Sequence, residues 1–98
     1  MHIENDNGIG RRNMLAVALG EVVAQRRSKR GWSIAELAYR TRLHPAILEL
    51  VESGDVMPHS DDLALIARAF GHSSEAPFLK SAWLLADVTA VVEGVGHV

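Results

Sequence analysis

Residues 40–55 read RTRLHPAILELVESGD, and the reading of this stretch decides the fold. Two segments with apolar positions at helical spacing meet at Thr41, Arg42 and Leu43. His44 followed by Pro45 marks the second start, because proline is favoured at the first helical position, and Gly54 stops that helix. The pattern is a helix, a tight turn and a second helix. Leu37, Ala38, Leu43, Leu48 and Val51 stand where such a pair buries a shared core, with Ala38 small at the crossing and Leu43 sealing the turn. The second helix opens with Pro, Ala, Ile, Leu, Glu and Leu, and contains no Arg, Lys, Asn or Gln.

Other helices flank this pair. Leu15, Leu19, Val22 and Val23 fall at helical spacing after Asn13, and Gly31 closes that segment behind Lys29 and Arg30. Ser33, three residues before Glu36, forms a capping box for a helix running to about Arg40. Pro58 breaks the chain, and Ser60, Asp61 and Asp62 start a fourth helix that ends at Gly71. Ser73 or Ser74 with Pro77 opens a fifth, reaching about Glu93. No segment alternates with period two. The expected class is all-α, a compact five-helix bundle. Its organisation is a flexible arm over 1–12, a helix-turn-helix domain over 13–73, and a C-terminal helix with a short tail over 74–98.

Composition narrows the chemistry. Ninety-eight residues with 48% hydrophobic content suit one small domain with a single core. Without cysteine there is neither a disulfide framework nor a thiolate metal site, and His2, His44, His59, His72 and His97 form no i, i+4 pair. No metal and no cofactor are expected. Ser-His-acid sets, a glycine-rich phosphate loop and paired carboxylates are absent from the pattern, so no enzyme is expected. The N-terminal MHIENDNGIGRR lacks an apolar signal region, and FLKSAWLLADVTAVVEGV at 78–95 is interrupted by Lys80, Asp87 and Glu93. A cytoplasmic chain without a membrane partner is expected.

The net charge of −2 conceals a segregation. Residues 11–42 hold eight Arg or Lys against Glu21 and Glu36, whereas residues 43–98 hold Arg68 and Lys80 against eight acids. A basic half attracts anionic partners even in an acidic chain.

From Leu19 to Gly71 the sequence resembles the Cro/repressor-type (XRE-like) helix-turn-helix family without a gap. The Ser-x-x-Glu-Leu-Ala start at Ser33, the Glu-x-Gly at Glu52, Pro58 and the closing Ala-Phe-Gly at Ala69 all match. The resemblance implies a lambda-repressor-like bundle and a transcriptional regulator that binds DNA as a dimer. It also implies a structural ion pair between Arg27 and Glu52. Two positions depart from the family: Ile34 replaces a glutamine that meets DNA, and Arg42 replaces a glycine at the turn, at a cost on the order of 1 kcal/mol if the left-handed backbone is kept. By family spacing Pro45, Ala46, Ile47, Glu49 and Leu50 face outward, toward bases or a partner. The same sixteen residues are similar to the RodZ-type branch, whose helix-turn-helix binds an actin-like filament protein.

Two functions follow. The first is a small DNA-binding regulator with phosphate contacts from Arg26, Lys29, Arg30, Arg40 and Arg42, low intrinsic sequence specificity and an apolar, acidic recognition helix. A homodimer would form through the fifth helix, at Phe78, Ala82, Trp83, Leu85 and Val92, with Trp83 as anchor. The second is a helix-turn-helix scaffold that binds a protein through Ile47, Leu50, Val56 and Met57 and does not bind DNA.

Overall fold

A computed structural model describes residues 13–97, and the side chains of residues 13–87. The expected arm over 1–12, with Arg11 and Arg12, lies outside the described residues, as does the side chain of Val92. Among the described residues there are five helices and no strand: α1 (Met14–Lys29), α2 (Ile34–Thr41), α3 (Pro45–Ser53), α4 (Ser60–Ala69) and α5 (Ala76–His97).

Four of the five helices begin where a side chain satisfies amide groups that a first turn leaves unpaired; α4, behind His59, has no such side-chain cap. The Asn13 side chain accepts from the amides of Leu15 and Ala16 at 2.9 and 3.1 Å. Ser33 Oγ accepts from Glu36 N at 3.0 Å, and His44 Nδ1 accepts from Ala46 N at 3.0 Å just ahead of Pro45. Ser74 Oγ takes the amide of Ala76. The stops are equally local: Gly31, Gly54 and Gly71 all have positive φ, and each is followed by an amide that reaches back to the helix it closes. α5 continues to His97, beyond the expected end near Glu93. Gly94 and Gly96 weaken a helix, but unlike proline they leave its hydrogen-bond ladder intact.

α1 is the central strut, packed against both α3 and α5, while α2 contacts α3 and α4. Leu19, Val23, Leu37, Leu48, Val51, Leu63, Ile66 and Phe78 form the heart of one core. Gly20 lets α1 approach α3 closely. A Cβ there would overlap the Val51 carbonyl oxygen and stand 2.8 Å from that of Glu52. Phe78, Ala82 and Ala86 place one face of α5 in this same core, so the C-terminal helix completes the bundle. Phe78 and Ala82 are fully buried there, which withdraws both from any dimer surface. No helix among the described residues is long and apolar enough to cross a membrane.

Candidate nucleic-acid interface

The α2–turn–α3 unit is held from inside. Leu37, Leu48 and Val51 are buried, with Leu43 packed against them. Thr41, the buried polar residue of the unit, closes the turn with its hydroxyl. Oγ1 donates toward the Leu37 carbonyl at 2.8 Å and accepts from Leu43 N at 3.2 Å, so no hydrogen-bonding group is stranded. Arg42 has φ 65° and ψ 22°, the left-handed conformation usually left to glycine, and its amide caps Ala38. The turn geometry expected for a glycine is therefore kept with an arginine in it. Its exposed side chain makes no hydrogen bond or ion pair with the described residues.

Arg27 anchors the other end of α3. Its Nε and one terminal nitrogen meet the two Glu52 carboxylate oxygens at 2.6 and 3.0 Å, and the other terminal nitrogen donates to the Trp32 carbonyl at 2.7 Å. One guanidinium thus ties together α1, the α1–α2 loop and the end of α3. The hydrogen bond to Glu52 raises the Arg27 pKa above its ordinary value, against the opposing effect of burial, so the pair stays charged on the arginine side wherever the chain is folded.

The five cations expected at phosphate divide into separate environments. Arg26 turns inward to α5: it meets His72 Nε2 at 3.3 Å, donates to Ser81 Oγ at 3.1 Å and covers the Phe78 ring. Two contacts with α5 and one with the α4–α5 loop commit its guanidinium to that side of α1. Arg30 and Arg40 converge on one indole. Arg40 lies 4.2 Å from the Trp32 ring centre and Arg30 lies 5.2 Å from it, while Trp32 stacks on Phe70 at 5.1 Å. Arg40 Nε also pairs with Glu36 at 2.7 Å, so the second half of the expected capping box is replaced by a bridge along the helix. Arg30 donates to the Phe70 carbonyl at 3.2 Å. Lys29 is exposed in the last turn of α1.

A family profile described as a helix-turn-helix domain matches residues 18–77. The chain belongs to the helix-turn-helix domain family. Its structure is also similar to the crystal structure of the clp gene regulator ClgR from Corynebacterium glutamicum, with a TM-score of 0.77 and 29% sequence identity, over 88% of this chain and 90% of that one. No curated protein matches the chain.

In a helix-turn-helix domain the second helix of the unit, here α3, is the one positioned to enter a major groove. Pro45, Ala46, Ile47, Glu49 and Leu50 are all exposed on it, with Ile47 at 39% and Leu50 at 44%. Val56 and Met57, just past Gly54, are exposed as well. Ile34 is half-buried against the core, so a residue the family uses at DNA serves packing here. On α5 Trp83 and Leu84 are exposed at 59% and 58%, and Leu85 is half-buried beside Met14 and Val17.

The sequence assigns no structural role to Trp32, Thr41, His72 or Gly20. Trp32 carries the clearest signal, an aromatic between Arg30 and Arg40, but only the fold brings both cations to its ring. For Gly20 the signal is a glycine inside a helical run of apolar residues, which points to a close packing partner without naming it.

Proposed function

We propose that this chain is a DNA-binding transcriptional regulator, non-catalytic and cytoplasmic, that acts as a homodimer with low intrinsic sequence specificity. The observation that carries the reading is Arg42. The chain retains an arginine at a left-handed turn position where glycine would be less strained, and leaves its guanidinium exposed beside the start of α3. Non-glycine residues held in the left-handed region cluster at functional sites, so the strain at Arg42 motivates the reading. Arg40 and Arg30, held on Trp32, and the exposed Lys29 make up the rest of the phosphate-contact set. Arg26 is left out because α5 occupies it.

The dimer would use α5, with the exposed Trp83 and Leu84 as anchors and the half-buried Leu85 at the margin. The exposed α3 then supplies shape and methyl contacts to one half-site per protomer. The alternative, a scaffold that binds protein and not DNA, draws no support from the family or from ClgR.

Binding to mixed-sequence duplex DNA at several salt concentrations tests the reading. Wild type should bind at low salt and weaken steeply as salt rises, and the Arg40→Ala, Arg42→Ala double variant should lower the logarithmic salt slope by about 2, one for each phosphate contact. Absence of binding even at low salt refutes it.

A further inference from the structure

The outward face of α3 has one-sided chemistry. Its exposed positions, Pro45, Ala46, Ile47, Glu49 and Leu50, offer no side-chain hydrogen-bond donor and a single acceptor, the Glu49 carboxylate. In the major groove guanine presents two acceptors, adenine an acceptor beside a donor, cytosine a donor, and thymine an acceptor with a methyl group. A face without donors has nothing for guanine. A carboxylate that approached the adenine amino group would also stand against the lone pair of N7. Two features remain that this face can bind: the thymine methyl and the cytosine amino group.

We infer that α3 recognises DNA through the C5 methyl groups of thymine, with Ile47 as the principal methyl contact and Leu50 one turn further along the same face. The inference rests on the DNA-binding reading above and names what that binding selects. Ile47 lies in the first turn of α3, the part of a recognition helix that meets base edges, and its side chain is exposed while its neighbour Leu48 is fully buried. Three positions along, Leu50 lies on the same side of the helix and is likewise exposed. The occupant is a nucleic acid by charge. Arg42, exposed in the turn three residues before Pro45, puts a cation next to the start of the apolar face. Glu49 adds a second preference, for a cytosine amino group, and repels phosphate wherever the register is wrong. Both preferences select pyrimidines on the strand that α3 faces.

Replacing thymine by uracil tests this, because it deletes the methyl and leaves base pairing unchanged. Duplexes bound by the full chain would be selected from a random-core pool and resynthesised with deoxyuridine in place of thymidine. Wild type and Ile47→Ala would then be titrated against both versions, with thermal melts confirming that the variant is folded. Wild type should lose about fourfold in affinity per contacted methyl, the value expected for one buried carbon. In Ile47→Ala the thymine-to-uracil ratio should fall toward one, an outcome that general destabilisation does not produce.

Equal affinity of wild type for thymine and uracil duplexes overturns the inference while leaving DNA binding intact. An unchanged ratio in Ile47→Ala overturns the role of Ile47. Full-strength DNA binding by Ile47→Asp overturns it as well and assigns the apolar face to a protein partner. Failure to bind any duplex in the pool removes this inference together with the reading it rests on.

Discussion

Gly20→Ala sets two physical effects against each other within one residue. Alanine is the better helix former, and the change in a helix interior gains about 1 kcal/mol. The added methyl, however, would overlap the Val51 carbonyl oxygen and stand 2.8 Å from the Glu52 carbonyl oxygen and 3.0 Å from its carbon. Even weak C–H···O contacts keep carbon and oxygen about 3.3–3.6 Å apart, so α1 and the end of α3 must separate by on the order of 1 Å. Both obstacles are backbone, and no side-chain rotation relieves them. The end of α3 is also held by the Arg27–Glu52 pair, and its neighbours Leu48 and Val51 sit in the core. Overpacking of this kind costs about 1–3 kcal/mol, with rigid sites at the upper end. The net expectation is a loss of about 2 kcal/mol, or roughly 10 °C in Tm for a domain of this size. Thermal and urea denaturation followed by circular dichroism measure it, with unchanged helical content at low temperature as the control. A Tm equal to or above wild type would refute the reasoning, since helix propensity would then have exceeded the clash. Because the displaced element is α3, DNA affinity should fall by more than the unfolded fraction accounts for.

Four further outcomes follow from the same contacts. Arg27→Ala leaves Glu52 without its partner in a largely buried position and should lower stability by roughly 2–3 kcal/mol in urea titrations, whereas the rim substitution Lys29→Ala should leave the midpoint unchanged. Arg42→Gly should move stability and function in opposite directions. Relief of the left-handed strain stabilises by up to about 1 kcal/mol, while loss of a phosphate contact reduces the salt slope of DNA binding by about 1; a simultaneous drop in both would contradict the strain argument. Trp32→Ala removes the ring under Arg40 and Arg30 and should weaken DNA binding as much as Arg40→Ala does, with Trp32→Phe restoring most of it; equal defects in both Trp32 variants would speak against the ring as a platform. Trp83→Asp with Leu84→Asp should shift the chain to monomer in sedimentation equilibrium without changing helical content, and an unaltered mass would remove α5 as the dimer contact.

The helix-turn-helix was legible because its signals are local. Asn13, Ser33 and His44 each satisfy amides two or three residues away, and Pro45 and Gly54 act through their own backbone, so a linear reading places every one of these ends. The outward position of Ile47 and Leu50 was implied by the family's spacing, and both are exposed beside the buried Leu48 and Val51. The Arg27–Glu52 pair spans 25 residues and was reached through family resemblance, since neither residue's neighbourhood specifies the other. α5 was harder to read. Its apolar residues extend around more than one face, so the sequence pattern did not tell core positions from surface ones; Phe78 and Ala82 went inward and Trp83 and Leu84 outward.

The sequence by itself determined five helices, their approximate starts, the stops of the first four, and a second helix of the unit without hydrogen-bond donors, because caps, period and side-chain chemistry are properties of short segments. Tertiary structure alone decided how the cations are used. Arg26 and Arg27 are neighbours in sequence, yet one turns to α5 and the other to α3, while Arg30 and Arg40 meet on Trp32 from opposite sides of a loop. Charge along a chain does not specify which face of a helix will be covered. Only packing sets that, and it is packing that leaves Arg42 and the apolar face of α3 exposed together.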